Sequence, residues 1–229
     1  MDRSPHHTSR TMFEFLDCHD ALLDIIILID TTGYTSTSWL STKTGLKWIL
    51  EVINKDFPIS PNGSHVGLAT YNDLGHLVLD LSKGNDKKSI TPKLTNSITI
   101  GNTVEHNLAE GLSAAQNEFR ANGRSDTPSE KYKQVVIAII NSLPSDSDNT
   151  RLKVVEMRSE GINVIPVSIS PLVTPNALAS ASSYPGQDIY TTYKGLSSLW
   201  NGTDLVPWMC PYMGMRFSYF LFCLLLKDG

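Results

Sequence analysis

Apolar positions along the chain fall into short unbroken runs separated by helically spaced stretches. The first run, Leu23–Asp30, carries Ile25, Ile26, Ile27, Leu28 and Ile29 in succession. It has strand length and lacks the alternation of a half-exposed strand, so it suits a strand covered on both faces, as in a parallel sheet. The run ends in a carboxylate, and Thr31-Thr32-Gly33-Tyr34-Thr35-Ser36 follows as a hydroxyl-rich loop. Leu46, Ile49, Leu50 and Ile53 then mark one face of a helix. Trp39 and Leu40 extend that face upstream, Ser38 is a candidate N-cap, and the helix should end before Pro58.

His65–Tyr71 predicts a second strand and His76–Leu81 a third. The tight link Asn72-Asp73-Leu74-Gly75 makes the third antiparallel to the second. Residues 82–102 are polar, contain Pro92 and read as a crossover with one short helix. Val104, Leu108, Leu112, Ala115 and Phe119 recur at helical spacing up to the stop signal Ala121-Asn122-Gly123. After a polar loop over Arg124–Glu130, Gln134–Ile140 is a fourth strand ending at Asn141-Ser142. Leu152 and Val155 mark a short helix to Ser159, and Asn163–Ile169 is a fifth strand. Pro166 lacks an N–H for the ladder and places that strand near an edge or a bulge. A short helix over Thr174–Ser182, a minimal strand at Asp188–Tyr190 and a last helix over Lys194–Leu205 complete the pattern. The alternation predicts an α/β fold: a doubly wound, Rossmann-like open sheet, mainly parallel with one antiparallel strand, and helices on both faces. We expect an irregular segment at 1–20, one domain over 21–206 and a tail at 207–229.

The length of 229 residues fits one α/β domain of about 200 residues with short extensions. A net charge of −4 with scattered basic residues argues against nucleic acid as a partner. Cys18, Cys210 and Cys223 form no C-x-x-C motif. Cys18 precedes the first strand and Cys210 follows the last helix. Domain termini often lie together, so these two either form a disulfide in an oxidising compartment or remain free thiols. Asn62-Gly63-Ser64 and Asn201-Gly202-Thr203 are N-glycosylation sequons. They favour an extracellular, secreted product, although residues 1–20 contain no apolar leader core. The apolar stretch Phe217–Leu226 is too short to span a bilayer. We therefore expect no membrane span and read both ends as incomplete.

In open α/β sheets, ligands gather at the carboxyl ends of the strands, which makes Asp30 and its hydroxyl neighbours the candidate site. The chain lacks a dinucleotide Gly-x-Gly-x-x-Gly, a P-loop and a Gly-x-Ser-x-Gly elbow. His65, His76 and His106 are isolated in sequence, and the first two, at strand starts, read as exposed or hydrogen-bonded rather than catalytic. Asp30-Thr31-Thr32-Gly33-Tyr34-Thr35 also resembles the Asp-x-Asp-Gly-Thr loop of haloacid-dehalogenase-like phosphatases, in which the first Asp is the nucleophile. Thr32 stands where that family's general acid would be, and Asp146 and Asp148 lie in a Ser-rich loop rather than forming a metal-binding pair.

The element order, with Val66–Asn72, Gly101-Asn102-Thr103, Asn107–Leu112 and Arg158–Val164, resembles the von Willebrand factor A domain over roughly residues 20–206. Those stretches look most like the A domains found beside C-type lectin domains in nematode secreted proteins. The resemblance implies a metal-ion-dependent adhesion site: Asp-x-Ser-x-Ser after strand one, a Thr before the third major helix, and an Asp after strand four. Mg²⁺ takes hard oxygen ligands in octahedral geometry. Asp30 matches the first Asp, Thr32 replaces a Ser with another hydroxyl, and Thr103 matches the Thr. Tyr34 replaces the second Ser and Asn141 the second Asp, which removes a hydroxyl ligand and a charge. The expectation is a degenerate site without a cofactor, in a non-enzymatic adhesion-type module that binds a protein or glycan. Its surface would be the loops after Asp30, Asn72, Gly101 and Asn141, with Tyr34 as an exposed aromatic contact. The alternatives are a Mg²⁺-dependent adhesion domain using Asp30, Thr32 and Thr103, and the phosphatase.

Overall fold

The computed structural model describes residues 22–101, 104–124, 126–127, 130–184 and 190–191. Cys18, Cys210, Asn201, Thr103, the segments 1–20 and 207–229 and the helix expected at 194–205 lie outside the described residues. The elements run β1 (Leu22–Asp30), α1 (Ser36–Asp56), β2 (His65–Tyr71), β3 (Gly75–Leu79), α2 (Lys87–Pro92), α3 (Leu108–Asn122), β4 (Asp126–Thr127), β5 (Glu130–Ile140), α4 (Ser147–Ser159), β6 (Ile162–Ser168), α5 (Pro175–Ser180) and β7 (Tyr190–Thr191).

The sheet order is β3-β2-β1-β5-β6-β7, with β4 folded back on β5 as a short hairpin. β1 lies between β2 and β5 and is parallel to both, while β3 is antiparallel to β2. This is the predicted doubly wound, mainly parallel sheet, and its centre explains the apolar run. Alternate side chains of a strand face opposite sides. Ile25, Ile27 and Ile29 pack under α1 with Leu46, Ile49 and Ile53. Ile26 and Leu28 pack on the other face with Leu112 and Phe119 of α3 and Met157 of α4. Both faces of β1 are therefore dry, and each such side chain contributes about 1.5–3 kcal/mol by leaving water. Pro166 pairs with Ala138 of β5, in a strand whose outer neighbour is the two-residue β7, so it sits one strand from the sheet edge.

Several boundaries differ from the sequence reading. α1 starts at Ser36 because Thr35 is the N-cap, and Ser38 is its reciprocal partner in a capping box rather than the cap. Leu40 is exposed, although Trp39 is buried. β3 ends at Leu79, and Leu81 opens a 3-10 turn. α3 begins at Leu108, so Val104 is an exposed loop residue. β5 begins at Glu130, because the polar stretch before Gln134 forms the β4–β5 hairpin. α4 buries Thr150, Val154 and Met157 and leaves Leu152 and Val155 in solvent.

An ion pair closes the amino-end pole of the sheet. Asp24 is fully buried, and its carboxylate accepts from the Arg124 backbone N–H (2.6 Å) and from Arg124 Nε (2.8 Å). The same guanidinium donates to the Gly63 carbonyl (2.8 Å) and lies over the Tyr132 ring at 3.9 Å.

Candidate functional site

Successive connections leave β1 and β5 in opposite directions. From β1 the chain passes to β2, and from β5 to β6 on the other side. The carboxyl edge between β1 and β5 is thus a topological switch point, where open α/β sheets form their crevice. Asp30 and Asn141 end these two strands, so the topology brings together residues more than a hundred positions apart.

The Asp30 side chain is fully buried. Its Oδ1 accepts from the Thr32 backbone N–H (2.9 Å) and the Thr32 hydroxyl (2.6 Å). Its Oδ2 accepts from the backbone N–H groups of Asn141 (3.2 Å) and Ser142 (3.1 Å). A third segment reaches the same place. His106 Nδ1 lies 3.7 Å from Asp30 Oδ2 and makes a short contact with Thr32 Oγ1. The Thr32 hydroxyl hydrogen points to Asp30, so the imidazole is the donor in that contact. A bare ring lone pair facing a carboxylate would be repelled, which favours the same tautomer.

The Asn141 side chain turns its amide nitrogen to the Thr32 carbonyl (2.8 Å). Gly33 between them has φ +71°, and a Cβ there would sit 2.8 Å from Ser142 Oγ. Glycine is the residue suited both to that left-handed turn and to the close approach. Thr31 extends the web, donating from N–H and hydroxyl to the Tyr71 carbonyl (3.1 Å each) and accepting from the Gly101 N–H (2.8 Å).

Tyr34 does not stand out as an exposed contact. Its ring packs on Trp39 at 4.8 Å between centroids, against the α1 side of the core. Its hydroxyl is buried without a well-aligned partner. Burial, and after it the charge of Asp30, push the phenol far above its usual range, partly offset by the neighbouring Thr42 hydroxyl. Burial also raises Tyr71, with smaller contributions from Asp30, Tyr34 and Asp146. Both phenols therefore stay neutral.

The site thus brings together Asp30, Thr32 and Asn141. It turns Tyr34 inward, and Thr103 lies outside the described residues. Sequence reasoning missed His106, isolated as it is in the chain, and it missed Asp146. The Asp146 carboxylate accepts from the N–H groups of Leu108 (3.1 Å) and Ala109 (2.9 Å) and so fixes the start of α3. The Asx and Ser content of residues 141–148 was the available signal, but its target lies 38 residues upstream. No group of three or more His, Cys, Asp or Glu suited to a metal occurs among the described residues.

The frame of the site is an open α/β sheet with a buried carboxylate at its switch point. Residues 24–199 match the von Willebrand factor type A domain, and the chain belongs to that family. The fold is similar to proximal thread matrix protein 1 from the mussel byssus, with TM-score 0.68 and 16% identity, covering 87% of this chain and 47% of that one. It is also similar to the same mussel protein with a zinc-occupied MIDAS motif (TM-score 0.65, 17% identity, 83% and 46% covered). A third similar structure is the manganese-loaded TRAP protein of Plasmodium vivax (TM-score 0.65, 12% identity, 84% and 74% covered). At these identities the likeness concerns the fold. The chain spans about half the length of the mussel protein it matches. No curated protein matches the sequence.

Proposed function

We propose that this chain is a non-enzymatic, adhesion-type interaction module that works outside the cell and binds a protein or glycan without a metal. The state of Asp30 carries this reading. Each of its oxygens already accepts two hydrogen bonds from the chain itself. Mg²⁺ needs several oxygen lone pairs in octahedral array. The residues here offer one engaged carboxylate and one Thr32 hydroxyl bonded on both sides. They add an amide directed nitrogen-first at a carbonyl and a phenol turned into the core. That donor set does not fit the ion. Thr103 keeps the residue type of the family's hydroxyl ligand. The geometry also counts against a phosphatase, because a nucleophilic carboxylate must reach its substrate and this one is fully buried.

Partner contact falls instead to the surrounding loops. Leu74, Val104 and Leu143 are exposed in the segments that follow Asn72, Gly101 and Asn141. Where such side chains gather into one patch they mark an interaction site. Among the described residues no helix is long and apolar enough to cross a membrane. Asn62 is exposed in the turn before β2, at the opposite pole, where a glycan would leave the binding edge clear. A Cys18–Cys210 disulfide, a glycan at Asn201 and a neighbouring C-type lectin domain belong to the same secreted picture.

A second reading has a specific observation behind it: the similar structures include zinc-occupied and manganese-loaded forms. In that reading Asp30, Thr32 and Thr103 hold Mg²⁺ and the partner binds through it. Thermal melts in EDTA and in millimolar Mg²⁺ or Mn²⁺ separate the two. A ligand of the folded state raises Tm. An unchanged Tm is expected, and a rise overturns metal independence. Glycan and extracellular-protein arrays then test the surface, with hits expected to survive EDTA and to be lost in Leu143→Asp.

A further inference from the structure

A divalent ion at the edge of a sheet does two things. It balances a carboxylate, and it ties together the loops that supply its ligands. We propose that His106 performs the second task in this chain, as a built-in hydrogen-bonded bridge at the switch point. The inference rests on the metal-independent reading above.

The imidazole stands beside the Asp30–Thr32 pair. Nδ1 contacts Thr32 Oγ1 and lies 3.7 Å from Asp30 Oδ2, so the ring borders both groups. The ring is only 19% exposed, and the Asp30 side chain beside it is fully buried. The backbone of His106 makes the second tie. Its N–H donates to Ser145 Oγ (3.3 Å), and its carbonyl accepts from the Ser145 N–H (3.1 Å). The next residue makes the third, with the Asn107 N–H donating to the Asn72 carbonyl (2.7 Å). One short segment therefore connects the loop after β1, the turn after β2 and the loop after β5. These connections need no ion, and they hold in place the loops that carry Leu74, Val104 and Leu143.

Three side chains make the exchange self-consistent. Thr32 keeps a hydroxyl that can donate to Asp30 while accepting from His106. Asn141 supplies a donor to the Thr32 carbonyl, which a carboxylate could not do. Tyr34 packs its ring on Trp39 against the α1 side of the core.

The test compares the whole chain with His106→Ala and His106→Asn by native-state hydrogen exchange. In the asparagine variant an amide N–H stands near the place of Nδ1–H, so a positioning role is kept and mere ring packing is lost. In His106→Ala the amides of Asn107 and Ser145 should exchange faster by about tenfold or more, with His106→Asn restoring most of the protection. Unchanged protection in the alanine variant overturns the proposal and leaves the metal-independent reading standing. A Tm increase of the wild type in Mg²⁺ or Mn²⁺ overturns both, so the two failures are distinguishable. Should His106→Ala fail to fold, long-range ¹H–¹⁵N spectra of the wild type decide. They should show the proton of the His106 ring on Nδ1, protected from exchange. An unprotonated or freely exchanging Nδ1 overturns the proposal.

Discussion

Asp30→Asn tests whether the site is a self-satisfied structural knot. The substitution keeps the shape of the side chain and removes one acceptor and the charge. Four donors converge on the wild-type carboxylate: the Thr32 N–H and hydroxyl on Oδ1, and the Asn141 and Ser142 N–H groups on Oδ2. Whichever way the new amide turns, its NH₂ faces two of those donors. If it faces Asn141 and Ser142, both backbone N–H groups lose their acceptor in a buried place. Each such loss costs about 1–3 kcal/mol, and the surviving pair loses its charge assistance. The expected destabilisation is about 2–6 kcal/mol, a large part of the ordinary stability of about 5–15 kcal/mol. Urea unfolding in EDTA, followed by far-UV circular dichroism, reads it as a lower midpoint at unchanged slope. A working metal site predicts the opposite sign. With the ion stripped, an acceptor-only carboxylate waiting for a cation is a liability, and neutralising it costs nothing or helps. Asp30→Asn as stable as the wild type in EDTA would refute the reasoning.

The other predictions concern the frame around the site. Asn141→Asp alone should not create a metal site. It sets a carboxylate against the Thr32 carbonyl, now 2.8 Å from the amide nitrogen, and should lower the melting point without a response to Mg²⁺. Arg124→Ala leaves the buried Asp24 carboxylate without its guanidinium and should cost about 3–5 kcal/mol in urea unfolding, with less than 1 kcal/mol, roughly, counting against it. Gly111→Ala puts a Cβ 2.8 Å from Tyr71 Cβ and 3.1 Å from Leu28 Cδ1. Overpacking of about 1–3 kcal/mol should outweigh the gain in helix propensity of about 1 kcal/mol, and a stabilised variant would show that α3 can move away. His65 is held below its usual pKa by burial first and the Arg124 charge second. The unfolded chain therefore binds the proton more readily, so stability is full above the unfolded pKa and falls as the pH drops towards the folded one. Unfolding titrations on that acid side should show the fall in the wild type and a flatter profile in His65→Gln.

What could be read in the sequence was what the chain settles locally. The Ile-rich run of β1 and the bounds of β2 follow from unbroken apolar character, which a doubly covered strand must have. The antiparallel β3 follows from the shortness of its link to β2. Errors came where a distant group decides the outcome. The apolar spacing admitted Val104 into α3, but the helix starts at Leu108, where Asp146 accepts the first amides and Asn107 caps the Glu110 N–H. On α4 the apolar pair Leu152 and Val155 was more conspicuous than the buried Thr150, Val154 and Met157, since the core on that side accepts a threonine whose hydroxyl bonds Asp146. Asp30, Thr32 and Asn141 could be located from the family pattern. The direction of the Tyr34 side chain could not, because Trp39 offers its ring an apolar seat one turn into α1.

His106 is a neighbour of the candidate site to which the family pattern could not point. Asp30 is fully buried, and a buried carboxylate must be satisfied by something. Backbone amides from Asn141 and Ser142 supply part of the answer, and they are available only because β5 ends beside β1. A loop hydroxyl supplies another part. The imidazole approaches from a third segment, which is bonded to Ser145 and Asn72. Each partner is ordinary in sequence, and only the closed sheet brings them to one point. On the proposed reading, the loops at the carboxyl edge are held by bonds the chain makes with itself, and the surface offered to a partner should keep its shape whether or not divalent cations are present.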